Sequence, residues 1–431
     1  MPGLRERLAS FHPFRSPDAE RLALLFAVVY FSQGMYYVIN QPLTLLLKEQ
    51  LGLSAAQVAT FGSITLIPWV IKPVYGLLSD SVPLFARRRK SYFVLMSALA
   101  SAAGFALASQ PGPSYLFLAV FVTLMAFGVA FTDVLTDAMM VENGKPLGLT
   151  GAFQSVQWAA LNGATILVGL VGGYFAQRRA PQGAFLVAAL FPLVAFVMAH
   201  LFIHEAPVTS RREAFSEAWG GIKQAVTDRT LLVVAGFLFF WTFSPSIGIP
   251  LFYYQTDTLK FSQQFIGLLG SLAAGAMIVG SVFYAPLSRR YSLRWIINLS
   301  IGVATAGTLA YLFYNDWKSA VLIDVGFGGM SAIIQLAFLD LAAKACPKNA
   351  EGTFFALLMS VYNFGTQGSQ VFGGYLYDKI GYTPLVLISA AMTAAAWLLV
   401  PLVNIPAIER RAALAGPPPD LAPAVPATPA R

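Results

Sequence analysis

The chain has 431 residues, of which 57% are hydrophobic and 11% charged, against roughly 45–50% and about 25% in soluble globular domains. Its formal net charge is +8 and it holds a single cysteine, Cys346. Together these exclude a single soluble domain, a disordered chain, a disulfide-stapled protein and a multi-cysteine metal site, and they fit a polytopic helical membrane protein.

Before the first apolar run the chain carries Arg5, Arg7 and Arg15 but no short apolar core with a small-residue cleavage site. The run at 22–47 is therefore expected to stay in the protein as a first span. Apolar runs between charged or Pro/Gly breaks continue at 55–79, 91–109, 114–138, 150–175, 183–203, 230–256, 263–287, 293–314, 318–342, 352–376 and 382–404, which gives twelve expected helices. With the amino terminus inside, 21 of the 28 lysines and arginines lie on the inner side, six lie on the outer side, and Lys72 falls within a span. That bias places both termini in the cytoplasm and accounts for the net charge without nucleic acid. The expected organisation is a short amino-terminal segment (1–21), a six-helix bundle (22–203), a linker (204–229), a second six-helix bundle (230–404) and a disordered Pro/Ala-rich tail (405–431). In the linker, Ser210 and Glu213 have capping-box spacing, and Phe215, Trp219, Ile222 and Val226 share one face, as in an interfacial amphipathic helix.

Polar groups inside spans mark function, because a charge at mid-bilayer costs at least a few kcal/mol. In the first span, Gln33, Tyr36, Tyr37 and Asn40 follow i, i+3, i+4, i+7 spacing. Lys72 in the second span and Asp133 in the fourth lie at similar depth and are placed to pair; Asp137 shares the helix face of Asp133. Two carboxylates this close would repel if both were ionised, so the pair is suited to carry one proton; a static Lys72–Asp133 ion pair is the competing reading. The fifth span repeats the amide stripe with Gln154, Gln157, Trp158 and Asn162, and the eleventh with Asn363, Thr366, Gln367 and Gln370. Such side chains can serve as interhelical hydrogen-bond glue, but three amide-rich stripes point to a shared cavity that grips a flat polar molecule. Pro245 and Pro250 interrupt the seventh span. Asp324 lies near the outer end of the tenth span, within reach of water, and Asp340 near its inner end resembles a counterpart of Asp137.

The two halves repeat. Gly151, Phe153, Asn162, Thr165 and Gly172-Gly173-Tyr174 recur as Gly352, Phe354, Asn363, Thr366 and Gly373-Gly374-Tyr375 at a shift of 201, and Ser54 and Gly62-Ser63 recur as Ser262 and Gly270-Ser271 at a shift of 208. Matching spans are six apart, so the halves have the same topology, the parallel-repeat plan of major facilitator transporters. The shift of 208 sets Gly280 opposite Lys72, which confines this cation to the amino half.

The segment from Pro68-Trp69-Val70-Ile71-Lys72-Pro73 through Gly76, Asp80 and Arg87-Arg88-Arg89-Lys90, with Thr132-Asp133-Val134-Leu135-Thr136-Asp137-Ala138 in the fourth span, resembles the folate-biopterin transporter family of the major facilitator superfamily. The likeness is specific in the first six spans. It implies an all-α fold of twelve transmembrane helices in two six-helix halves and import of folates or related pterins, usually with protons. On that resemblance Tyr36, Tyr37 or Trp158 would meet the pterin ring, Asp133 its amino-pyrimidinone edge and Lys72 an anionic tail. Asp133 and Asp137 would couple protons, while Asp80, Arg87, Arg88 and Arg89 would form an inner gate. The partners expected are a small-molecule substrate, protons and the lipid bilayer, with the protein acting as a monomer.

A second reading keeps the fold and changes the cargo to another aromatic or anionic metabolite, imported or exported; a third is a scaffold or receptor that moves nothing, against which the buried charges count. No cofactor, metal or enzymatic chemistry is expected. The sequence shows no nucleophile motif, phosphate loop or clustered metal ligands, and His12, His200 and His204 lie near or outside the interface.

Overall fold

A computed structural model describes residues 14, 16–147, 149–205, 207, 227–346 and 351–415. Among these residues, nine helices are long and apolar enough to cross a membrane, and they fall on the first, third to sixth, eighth to tenth and twelfth expected spans. The first begins where Ser16 accepts a hydrogen bond from Ala19 N at 3.2 Å and Pro17 opens the helix, a position where its missing N–H costs nothing. The linker helix expected around Ser210 to Val226 lies outside the described residues, as does the tail from 416 onward.

The remaining three expected spans are helical but interrupted or polar. The second, read as one helix from sequence, is three: Ala55–Thr65, Ile67–Val70 and Lys72–Ser81. Pro73 cannot donate to the carbonyl of Trp69 and its ring crowds that turn, so Ile71 leaves helical backbone at φ −90°, ψ 16°. The carbonyl of Pro68, freed at the same break, accepts the Tyr75 phenol at 2.9 Å. The seventh span divides into Arg229–Thr242 and Gly248–Asp257, with Pro245 in the gap and Pro250 in the first turn of the second piece. The eleventh is continuous from Glu351 to Ile380 but rich in Asn, Gln, Ser and Thr.

The sequence repeat reappears as repeated bonding. The helix Asn40–Glu49 and its counterpart Gly248–Asp257 begin and end 208 residues apart, each following an irregular turn in the first span of its half. Ser54 and Ser262 both cap the helix that follows them. Phe153 and Phe354 are both fully buried, and Thr165 and Thr366 bond back to the carbonyls of Leu161 and Tyr362 at 2.9 and 3.0 Å. The glycine pairs do the same work twice. A Cβ on Gly172 would meet Val38 O at 3.1 Å and one on Gly373 would meet Ser246 O at 2.0 Å, so each approaches the broken first span of its own half. Gly173 and Gly374 face across the molecule, where a Cβ would lie 2.9 Å from Gln263 O and 2.8 Å from Ala55 O. Small residues at these crossings let backbones touch, which is how helices associate where lipid removes the hydrophobic drive between them.

The two halves are stitched together at the end of the bundle far from the termini. Gln41 Nε2 donates to Gln263 O at 2.7 Å and Gln263 Oε1 at 3.0 Å; Gln263 N donates to Gln177 Oε1 at 2.8 Å; Tyr253 OH donates to Leu53 O at 2.6 Å; and Ala56 N donates to Asp378 Oδ2 at 3.1 Å. Lys48, seated over the Tyr253 ring, donates to Thr256 and Asp257, and the shift of 208 makes Lys48 and Thr256 pseudosymmetric partners that meet across the axis between the halves. On the terminal side of this seal lies a cavity of about 270 Å³ shared by the fifth, eighth and tenth spans.

One expected boundary is corrected. Residues 405–415, assigned from composition to the disordered tail, form the helix Ile405–Ala415. Ile405 and Ile408 lie one turn apart and are buried against the carboxyl half's core, Asn404 Oδ1 accepts from Ala407 N at 3.2 Å, and Glu409 Oε1 accepts from Leu293 N at 2.8 Å. Glu205 holds the same kind of place in the amino half, accepting from Arg88 N, Arg89 N and Lys90 N at 2.9, 2.9 and 3.0 Å.

The far-end seal gives a direct test. A Cβ on Gly267 would sit 2.1 Å from Gly169 O and 2.8 Å from Gly173 Cα. Gly267→Val is expected to keep the two halves from meeting at the far end. In a Cys346→Ser background, the disulfide yield of Gln41→Cys with Gln263→Cys should fall in the same variant. A yield unaffected by Gly267→Val would show that the halves do not meet there.

Candidate functional site

The break at Ile71 makes Lys72 the first residue of a helix and turns its side chain toward the fourth span. Its ammonium lies 2.5 Å from Asp133 Oδ2 and 4.6 Å from the centroid of the Trp69 ring. The lysine side chain is 33% exposed and the aspartate 4%, so the carboxylate depends on Lys72 for its compensation. Tyr37 stacks on Trp69 with centroids 6.3 Å apart at 27°, and Tyr36 meets Tyr37 edge-on at 5.2 Å. Tyr36 itself is buried in the core and backs Tyr37. The pairing expected of Lys72 and Asp133 is thus present, and it carries an aromatic wall beside it.

One helical turn on, Asp137 is exposed and accepts hydrogen bonds from Tyr30 OH on the first span and Gln157 Nε2 on the fifth, the latter at 3.4 Å. Next to each aspartate, Thr132 and Thr136 turn back onto the carbonyls of Val129 and Thr132 at 2.9 and 2.6 Å. This leaves the aspartates as the polar groups that reach other helices. Asp133 and Asp137 therefore tie together the first, second, fourth and fifth spans.

The amide stripes behave differently. Among the described residues, the side chains of Gln33, Asn40, Gln154, Asn162, Asn363, Gln367 and Gln370 make no hydrogen bond, so they are not spent as glue between helices. Asn40, Gln154 and Asn363 are exposed, and Gln33 and Gln367 are partly buried. Gln33 Oε1, Trp69 Nε1 and Gln370 Oε1 are buried without partners, a condition that native interiors rarely leave unless something else supplies the bond. Trp158, 59% exposed, and Asn162 line the 270 Å³ cavity with Met277, Ile278 and Ser281 of the eighth span and Ala332, Gln335, Leu336 and Leu339 of the tenth.

At the terminal end Arg89 is buried. Its Nη1 donates to Ser79 Oγ at 2.7 Å, and its Nη2 lies 2.7 Å from both Asp80 Oδ1 and Glu142 Oε1; Arg88 Nη1 is 3.9 Å from Asp80. Arg87 is exposed and closes a tight turn through its N–H to Leu84 O at 2.9 Å. Phe85 and Ala86 are held at positive φ in that turn. The acid expected beside the arginines pairs with them, within the amino half.

Some participants were not read from sequence. Tyr30 extends the first-span stripe by one turn, at i−3 from Gln33 and i−7 from Tyr37, and Trp69 is one turn before Lys72; both could have been found by continuing the spacing. Gln335 and Ser281 had no such signal. Asp324, expected to reach water, instead accepts from Tyr311 OH at 3.0 Å and Tyr314 OH at 2.7 Å, and Tyr314 OH in turn accepts from Gln255 Nε2 at 2.7 Å.

Solved structures with the same architecture are transporters. The fold matches a crystal structure of the nucleoside transporter NupG with TM-score 0.69 at 13% identity, covering 90% of this chain and 99% of that one. It matches the D-xylose-proton symporter with TM-score 0.68 at 15% identity over 88% and 96%. The fold is the major facilitator fold of these transporters. A model of the BT1 family matches residues 33–403, and the chain belongs to that family. The "Folate-biopterin transporter" of Synechocystis sp. is 31% identical over 383 residues, which are 85% of this chain and 76% of that protein. "Probable folate-biopterin transporter 4" of Arabidopsis thaliana is 25% identical, over 83% and 88%. "Folate transporter 1" of Plasmodium falciparum is 22% identical, over 81% and 72%.

The dependence of Asp133 on Lys72 can be measured as stability. Lys72→Met is expected to lower unfolding free energy in detergent by roughly 3 kcal/mol, the lower end for a broken buried pair because the lysine is partly exposed. Adding Asp133→Asn should restore most of the loss. A double variant no more stable than Lys72→Met alone would show that the pair is not coupled.

Proposed function

We propose that the protein takes up folate, biopterin or a related pterin across the cytoplasmic membrane by alternating access, coupled to protons. One observation carries this reading. A lysine shared between a nearly buried carboxylate and an indole face lies beside a stacked tyrosine, in a chain whose relatives bear the names folate-biopterin transporter and folate transporter. A pterin offers a ring face for Tyr37, Trp69 or Trp158 and an edge of donors and acceptors for a carboxylate or for the uncommitted amides.

In this reading the termini face the cytoplasm, in keeping with the Lys/Arg asymmetry, and the far-end seal is the outer gate in its closed state. The Asp80, Arg87, Arg88 and Arg89 turn belongs to the inner gate, with Arg89 anchored on Glu142. Lys72 cannot serve Asp133 and a substrate equally. Protonation of Asp133 releases Lys72 toward the substrate, and Asp137, held by Tyr30 and Gln157, passes the proton toward the terminal side. The protein acts as a monomer, since each half completes the cavity of the other.

Proteoliposomes holding the full chain, with the outer medium acidified, should accumulate labelled biopterin above its equilibrium level. Asp133→Asn is expected to abolish accumulation driven by the pH gradient while retaining pterin exchange at equal pH. Gradient-driven uptake that persists unchanged in Asp133→Asn would rule out this aspartate as the coupling site.

A further inference from the structure

The charges of the interior do not balance, and the imbalance bears on cargo. Among the described residues, the two aspartates of the tenth span are already occupied. Asp340 is held by Lys344 at 2.7 Å and Tyr284 at 3.0 Å, and Asp324 by its two tyrosines. Lys48 is engaged at the far seal. Within the amino-half spans Lys72 stands against two carboxylates, Asp133 and Asp137, and Asp133 lies against that cation at 2.5 Å.

The carboxyl half is built so that it cannot redress this. Its position equivalent to Lys72 is Gly280, where a Cβ would lie 1.9 Å from Gly329 O and 3.0 Å from Gly329 Cα. No side chain fits there while the eighth and tenth spans stay in backbone contact. The shift of 203 that relates Asp137 to Asp340 sets Leu336 opposite Asp133. Among the described residues, those lining the cavity between the halves include no charged one. Trp158 offers a ring face, and Asn162, Gln335 and Ser281 offer neutral donors and acceptors, with both amides unbonded.

From this we infer that the chain carries the pterin bicycle without an anionic tail, and that its site discriminates against the glutamate dicarboxylate that distinguishes folate from biopterin. The inference rests on the pterin reading above and narrows it. A neutral ring with amide-like edges satisfies Asn162 and Gln335 as they stand. A tail bearing two carboxylates would find no cation in the cavity lining, and Lys72 is committed to Asp133; even with a proton on Asp133, a single ammonium would face both charges.

Competition in proteoliposomes tests this. Uptake of labelled biopterin is measured against unlabelled biopterin, folate and p-aminobenzoylglutamate. Folate is expected to compete about tenfold or more less effectively than biopterin, and p-aminobenzoylglutamate not at all, since discrimination comes from charge placed against the wrong cargo. Gln335→Lys should raise the folate-to-biopterin ratio. Folate competing as well as biopterin, or p-aminobenzoylglutamate inhibiting uptake, overturns the inference and leaves pterin transport standing. A ratio unmoved by Gln335→Lys overturns the role of the neutral cavity. Failure of biopterin and folate alike to enter, with uptake of a non-pterin solute, overturns the pterin reading and this narrowing together.

Discussion

A carboxylate removed from water must be compensated, and in this protein one lysine compensates Asp133. That constraint orders much of the amino half. Lys72 reaches the fourth span because the second span is broken, and the span is broken because Pro68 and Pro73 deny it continuous backbone bonding. The carbonyl freed at Pro68 is taken by Tyr75, and the indole of Trp69 lies beneath the ammonium. Replacing either proline with a good helix former would straighten the helix and change the direction in which the charge points. The ion pair is thus a product of helix termination as much as of electrostatics.

The second organising feature is the duplicated set of close backbone contacts. Gly172 and Gly373 let the fifth and eleventh spans lie against the irregular turns of the first and seventh, while Gly173 and Gly374 let the same two helices cross to the opposite half. Each of these helices is therefore a bridge, touching its own half on one side and the partner half on the other. Rocking of the halves would be felt first at such bridges, because the contacts are backbone against backbone and have little room to yield. The amides at the far seal, Gln41, Gln177 and Gln263, form directional bonds that can break without leaving a charge exposed in lipid.

Nine of the twelve span positions, the parallel duplication and the meeting of Lys72 with Asp133 were legible in the sequence, for a common reason: each is a matter of hydropathy, spacing or cost of burial, which primary structure records directly. Ser54, Ser262 and the glycine pairs could be matched by offset and turned out to match in bonding too. The far seal could not be read, because its partners lie 86 to 322 residues apart and its glutamines carry no periodic signal. The bonding of Asp324 was not legible because a short helical turn at Tyr311–Phe313 folds two tyrosines back over it. The helix at Ile405–Ala415 was hidden by the Pro/Ala composition that follows it, although Ile405 and Ile408 had helical spacing.

The contact between Gly280 and Gly329 sets the carboxyl half apart mechanically. Two long helices, Gln263–Arg290 and Trp317–Ala345, are there joined backbone to backbone at their middles. The equivalent place in the amino half holds a segmented helix, with a non-helical joint at Ile71 and a lysine paired to the fourth span. The duplication has been kept in topology and given up in stiffness. One bundle can serve as the anvil while the other bends at its joint, beside the ionic pair of Lys72 and Asp133.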